Sequence, residues 1–189
     1  MSSQGRVLVF DLETQRAYTH EPEGFEPRAL GLAAAVVYDS LSAGYRSYLE
    51  EAVGELVAEL ARADLIVGYN VKRFDYEVLS VYSDLAFADL PTLDILEEIQ
   101  RALGTRLSLD EVARATLGVE KSASGLQAVR WYQQGRLDLV IEYCQRDVEL
   151  TKALYEHGLQ NGLLYRRDKR GLRHPIPVSF HRGSYPPFS

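Results

Sequence analysis

The sequence predicts an α/β fold in which a mixed β-sheet is flanked by α-helices. Three observations lead there: strand-like apolar runs fill the first third of the chain, helical periodicities dominate the rest, and a strand-helix-strand unit joins the two. The first run, Arg6-Val-Leu-Val-Phe10, is short and apolar, with Asp11-Leu-Glu13 at its end. A turn-rich stretch at residues 21–28, with two prolines and a glycine, separates it from a second apolar run at 29–38. Residues 45–49 would complete a meander of three strands. Over residues 51–62 the apolar positions Val53, Leu56, Val57 and Leu60 follow helical spacing. Leu65-Ile-Val67 reads as a brief buried strand that runs straight into Gly68-Tyr-Asn70. Further helices are predicted over 73–82, 94–103, 109–116 and 137–157. Residues 162–180 predict a C-terminal hairpin, with strands at 163–165 and 176–180 around a basic turn.

Length and composition set the outer bounds. A chain of 189 residues suits one core, so a single domain is expected over residues 1–183, followed by a loose tail at 184–189 that carries two prolines. With 46% hydrophobic and 25% charged residues, the balance is that of a soluble globular protein. No apolar run approaches the roughly 18 residues of a membrane-spanning helix, so no membrane partner is expected. The N-terminal residues lack the basic start, apolar middle and small-residue cleavage site of a secretory signal. The one cysteine, Cys144, precludes an internal disulfide and fits a reducing, cytoplasmic setting. A formal net charge of −6 argues against a basic nucleic-acid coat protein, but not against an enzyme whose acidic cluster is neutralised by cations.

The acidic residues carry the chemical signal. Asp-x-Glu occurs three times, at Asp11–Glu13, Asp75–Glu77 and Asp147–Glu149. In a strand, residues two apart point to the same side, so Asp11 and Glu13 can converge on one ion. On a helix, residues two apart diverge by about 200°, so the other two pairs cannot. Alternatively, Asp11–Glu13 is a polar strand end reaching solvent. Asp75 has apolar neighbours three or four residues away at Val71, Val78 and Leu79, with Lys72 as the exception. A carboxylate on such a stripe is costly unless paired or coordinated; the alternative is that it stabilises a first helical turn. Asp147 shares a face with Val140, Tyr143, Cys144, Leu150 and Leu154. Tyr143 stands one turn before it, so its phenol can lie beside the carboxylate, either in catalysis or simply as a hydrogen-bond donor. Asp94 reads as a helix cap, Cys144 as a packed core residue, and the four histidines show no metal-ligand spacing. The basic segment Arg166-Arg-Asp-Lys-Arg-Gly-Leu-Arg173 is open to two readings, a phosphate-binding stretch or a solvated hairpin tip.

Taken in order, these segments resemble the DEDD superfamily of 3′→5′ exonucleases, which have a ribonuclease H-like fold. Phe10-Asp11-Leu-Glu13-Thr14 is similar to its first motif. Gly68-Tyr-Asn70 with Phe74-Asp75 is similar to the second, in the Asn-x-x-x-Phe-Asp form of family B DNA polymerase proofreading domains. Tyr143-Cys-Gln-Arg-Asp147 is similar to the third, in the variant that carries tyrosine. Small bacterial ribonuclease H-like domains of the YprB type, sometimes found with helicases, also resemble this arrangement. The resemblance spans Phe10 to Asp147 and implies catalytic residues Asp11, Glu13, Asp75, Tyr143 and Asp147. It implies two Mg²⁺ or Mn²⁺ ions held by Asp11, Glu13, Asp75 and Asp147, with Tyr143 orienting the attacking water. It further implies terminal-nucleotide contacts from Asn70 and Phe74 and, as partners, the 3′ end of single-stranded DNA or RNA and possible association with a helicase. A non-catalytic adaptor and a ribonuclease H-like endonuclease are the competing readings.

Overall fold

The computed structural model describes residues 5–17, 26–119 and 125–180. The tail at 184–189 and residues 21–25 of the turn-rich stretch lie outside them. In chain order the elements are β1 (Val7–Thr14), β2 (Leu32–Asp39), β3 (Gly44–Tyr48), α1 (Val53–Leu60), β4 (Leu65–Gly68), α2 (Asp75–Leu79) and β5 (Thr92–Asp94). There follow α3 (Ile95–Leu103), α4 (Leu109–Leu117), α5 (Gly125–Gln133), α6 (Leu137–Asn161), β6 (Leu163–Arg167) and β7 (Arg173–Pro177). None of the described helices is long and apolar enough to cross a membrane.

Five strands form a mixed sheet in the order β3-β2-β1-β4-β5. The meander β1-β2-β3 is antiparallel, whereas β4 and β5 run parallel to β1. Parallel neighbours need crossover connections, and α1 and α2 supply segments of them. Because side chains alternate along a strand, β1 serves two cores. Leu8, Phe10 and Leu12 pack with Leu56, Leu60, Val78 and Leu79 beneath α1 and α2. Val7 and Val9 join Cys144, Val148, Leu154 and the residues of α3 and α4 on the opposite side. Asp11 and Glu13 continue the Val7–Val9 row and therefore face α6. Opposite them in the ladder stand Val36 and Ala34. The small side chains Ala33 and Ala34 pack with Val140, Trp131 and Tyr132, where α5 and α6 close over the sheet.

The structure departs from the sequence expectation at several element ends and in one helix. The first strand does not stop before Asp11; β2 keeps pairing with it as far as Thr14, so both acids stand within the strand. β5, only three residues long, takes the beginning of the segment expected to be helical. α5 falls where no helix was expected; it starts on a glycine and buries little beyond Ala128 and Val129, too little for a periodic signal. The hairpin's second strand is Arg173–Pro177 rather than 176–180. Asp168 sets that register by accepting at Oδ1 from the backbone N–H groups of Arg170 and Leu172, and the prolines at 175 and 177 are tolerated on an edge strand.

Candidate active site

The seven residues singled out from the sequence line one cavity of about 510 Å³. Asp11 and Glu13 come from β1, Asn70 and Phe74 from the turn after β4, Asp75 from the first residue of α2, and Tyr143 and Asp147 from α6. Each arrives by a local cause. Gly68 ends β4 where a Cβ would collide with the Val71 side chain, so the chain turns tightly through Tyr69 and Asn70. Asn70 takes a left-handed φ of 66°, a conformation asparagine tolerates better than most residues. On α6, Tyr143 and Asp147 are one turn apart and both buried.

Asp11, Glu13 and Asp147 offer carboxylate oxygens that lie within 4.8 Å of one another. Asp75 borders the same cavity, but outside that group, and its Oδ1 accepts from the Leu12 backbone N–H at 3.1 Å. Burial is the main force lifting its carboxyl, to about 8, with the charge of Asp94 adding to it and the backbone hydrogen bonds opposing it. The partners of the two other Asp-x-Glu pairs diverge as helical geometry requires: Glu77 ion-pairs with Arg28, and Glu149 with Arg146.

The donor set suits a hard divalent cation, because it is made of carboxylate oxygens with no imidazole among them. Cys144 is close, its Sγ 3.3 Å from the Asp11 backbone oxygen and 3.5 Å from Oδ2. Burial first, then the charges of Asp11, Glu13 and Asp147, push that thiol well above its usual range. It stays an S–H donor, neither a nucleophile nor a thiolate ligand.

Several contributors to this region carried no sequence signal that pointed to it. Asp94 caps α3 through the Leu96 N–H, as expected, but it also accepts from the backbone N–H groups of Asn70 at 2.8 Å and Lys72 at 3.2 Å. Leu30, Leu126 and Val129 supply an apolar wall. The basic hairpin, by contrast, contributes no lining residue. Its Arg173 guanidinium lies 3.5 Å from the Tyr165 ring centre, Arg167 donates to the Gly171 carbonyl, and Asp168 pairs with His174.

Comparison with known proteins places the fold. The family model of the RNase H superfamily matches residues 8–159, and the chain belongs to that superfamily. The sheet and its helices are accordingly ribonuclease H-like. Among solved structures, the chain is similar to the family B DNA polymerase of the hyperthermophilic archaeon Pyrobaculum calidifontis, with a TM-score of 0.61 and 19% identity. The match covers 82% of this chain and 24% of the polymerase, so the chain spans about a quarter of that protein's length. The likeness is one of fold. No curated protein matches the sequence. A superfamily fold with a carboxylate cluster between its central strand β1 and α6 fits a nuclease.

Proposed function

We propose that this chain is a metal-dependent 3′→5′ exonuclease of the tyrosine-bearing DEDD type, releasing nucleoside monophosphates from the 3′ end of single-stranded DNA or RNA. The observation that carries the reading is the convergence of Asp11, Glu13 and Asp147 within 4.8 Å in a cavity that Tyr143, Asp75, Asn70 and Phe74 also line. The resemblance of the three motifs to DEDD exonucleases, the second in the form of polymerase proofreading domains, and of the fold to a family B DNA polymerase supports the same class.

Asp11, Glu13 and Asp147, with Asp75, would hold two Mg²⁺ or Mn²⁺ ions, which supply Lewis-acid stabilisation of the attacking and leaving oxygens when bound. The chain's own groups do the rest. Tyr143, buried on α6 and facing the cavity, holds the nucleophilic water in line. Phe74 offers a ring for stacking a base, and Asn70 an amide for hydrogen bonding. Leu30, Leu126 and Val129 supply an apolar wall beside the reacting end.

A 5′-labelled single strand incubated with Mn²⁺ tests the reading. Stepwise shortening from the 3′ end, abolished by EDTA and slowed by a 3′ phosphate, is the expected result. Rapid cutting of closed circular single strands would place the chain among endonucleases instead. Binding without any cleavage would make it an adaptor.

A further inference from the structure

Among the described residues, every charged side chain lining the cavity is a carboxylate. A nucleic-acid strand is itself a polyanion, so a site of this kind needs a cation at its mouth to hold the strand against those acids. Arg106, on the exposed loop between α3 and α4, stands in that position. Its Nη2 donates to Asn70 Oδ1 at 2.6 Å, and Asn70 lines the cavity. Lys72, a neighbouring cation, is already held by Glu97 at 2.8 Å. Among the described residues, Arg106 makes no such ion pair with a carboxylate.

The contact also fixes the polarity of Asn70. A guanidinium has donors only, so the amide must present its oxygen to Arg106. Its Nδ2, a donor, is therefore the group left for the cavity. Asn70 cannot easily turn away, because Asp94, 2% exposed, accepts from the backbone N–H groups of both Asn70 and Lys72. The Arg106 loop is anchored from the other side, where the Tyr69 hydroxyl donates to the Leu107 carbonyl at 2.8 Å. The result is a pre-positioned rim of two adjacent donors, one of them cationic and planar, a geometry suited to phosphate oxygens.

We infer that Arg106 and Asn70 form a phosphate clamp that grips the sugar-phosphate backbone of the strand whose 3′ end lies among the carboxylates. The inference rests on the nuclease reading for the identity of the strand. Arg106 contacts phosphate directly and orients the Asn70 amide, while Asp94 acts as a positioning residue for Asn70 through its backbone N–H.

Fluorescence anisotropy of a short 5′-labelled single strand, with Ca²⁺ in place of Mn²⁺, over a range of salt concentrations, tests the clamp. Arg106→Ala should weaken binding roughly tenfold and lower the slope of log affinity against log salt by about 0.7, the share of one phosphate contact on a single strand. In turnover with Mn²⁺ the loss should fall mainly on KM. Arg106→Lys should restore the salt slope but only part of the affinity, since the charge remains and the fork does not. Asn70→Asp, which retains an acceptor for Arg106 but removes the Nδ2 donor, should also bind more weakly. Binding by wild type with the predicted loss of slope in Arg106→Ala, yet no cleavage with Mn²⁺, would support the clamp and remove the nuclease reading. Cleavage by wild type with unchanged slope and KM in Arg106→Ala would overturn the clamp and leave the nuclease standing. A wild type that binds no strand would overturn the clamp as well.

Discussion

Asp75 Oδ1 accepts the Leu12 backbone N–H at 3.1 Å, which ties the first residue of α2 to the central strand between the two acids Asp11 and Glu13. Asp75 is 3% exposed, and burial is what lifts its carboxyl from the ordinary 3.8 to about 8, against the opposing pull of that hydrogen bond. A buried acid of this kind has the reverse of the usual carboxylate linkage. Between about pH 4 and pH 8 the folded, metal-free chain retains a proton that the unfolded chain has lost, so stability falls as pH rises. The contribution is lost at up to about 1.4 kcal/mol per pH unit, and the cost is full above about pH 8 and absent below about pH 4.

Asp75→Asn separates this group from the others. The amide keeps an acceptor oxygen for the Leu12 N–H and cannot ionise. Metal-free Asp75→Asn should therefore lose less stability than wild type between pH 5 and pH 8, in thermal or urea unfolding followed by circular dichroism. Parallel curves for the two proteins would show that Asp75 is ionised in the fold.

Asp11 and Asp147 lead to a different forecast. Both belong to the group whose oxygens converge within 4.8 Å, so their like charges repel unless cations bind. Asp11→Asn and Asp147→Asn should abolish hydrolysis while metal-free melting temperatures hold or rise. The two variants should also lose the stabilisation that Mn²⁺ confers on wild type by binding the folded state. Full activity in Asp11→Asn, or in the presence of EDTA, would exclude the two-ion assignment.

How much of this could be read from the chain follows from where the signals are local. Tyr143 and Asp147 lie four apart in the interior of a 25-residue helix, and helical periodicity places them on one face without further information. Asp11 and Glu13 sit two apart, and strand periodicity aligns them; the strand's true end at Thr14 was hidden, because it is set by pairing with β2 rather than by its own residues. Asp94 was legible only as a cap. Its hydrogen bonds to Asn70 and Lys72 cross 24 and 22 residues of sequence, and no local pattern encodes such a pairing. Arg106 was silent for the same reason, as an exposed arginine in a glycine-bearing loop whose partner is 36 residues away. α5 was missed because its two buried side chains give too short a stripe, although Leu126, 59% exposed, and Val129 form part of the cavity wall.

Tyr143 permits the sharpest separation of a catalytic from a structural role. It is 5% exposed, lines the cavity beside Asp147 and meets Trp131 edge to face at 6.2 Å between ring centres. Tyr143→Phe preserves that aromatic packing and removes only the hydroxyl. If the hydroxyl holds the attacking water, single-turnover hydrolysis should fall by about 10²–10³-fold, with Mn²⁺ affinity little changed, because a phenol is not among the proposed ligands. Asp147→Ala, one turn further along α6, should reduce both metal affinity and rate. If the hydroxyl instead only satisfies buried polar neighbours, Tyr143→Phe should lower stability by about 1–3 kcal/mol and leave the rate per folded molecule nearly intact. Melting temperature, Mn²⁺ titration and single-turnover rate measured on the same two variants decide between these outcomes. A Tyr143→Phe protein with a normal rate and a depressed melting temperature would overturn the water-positioning role.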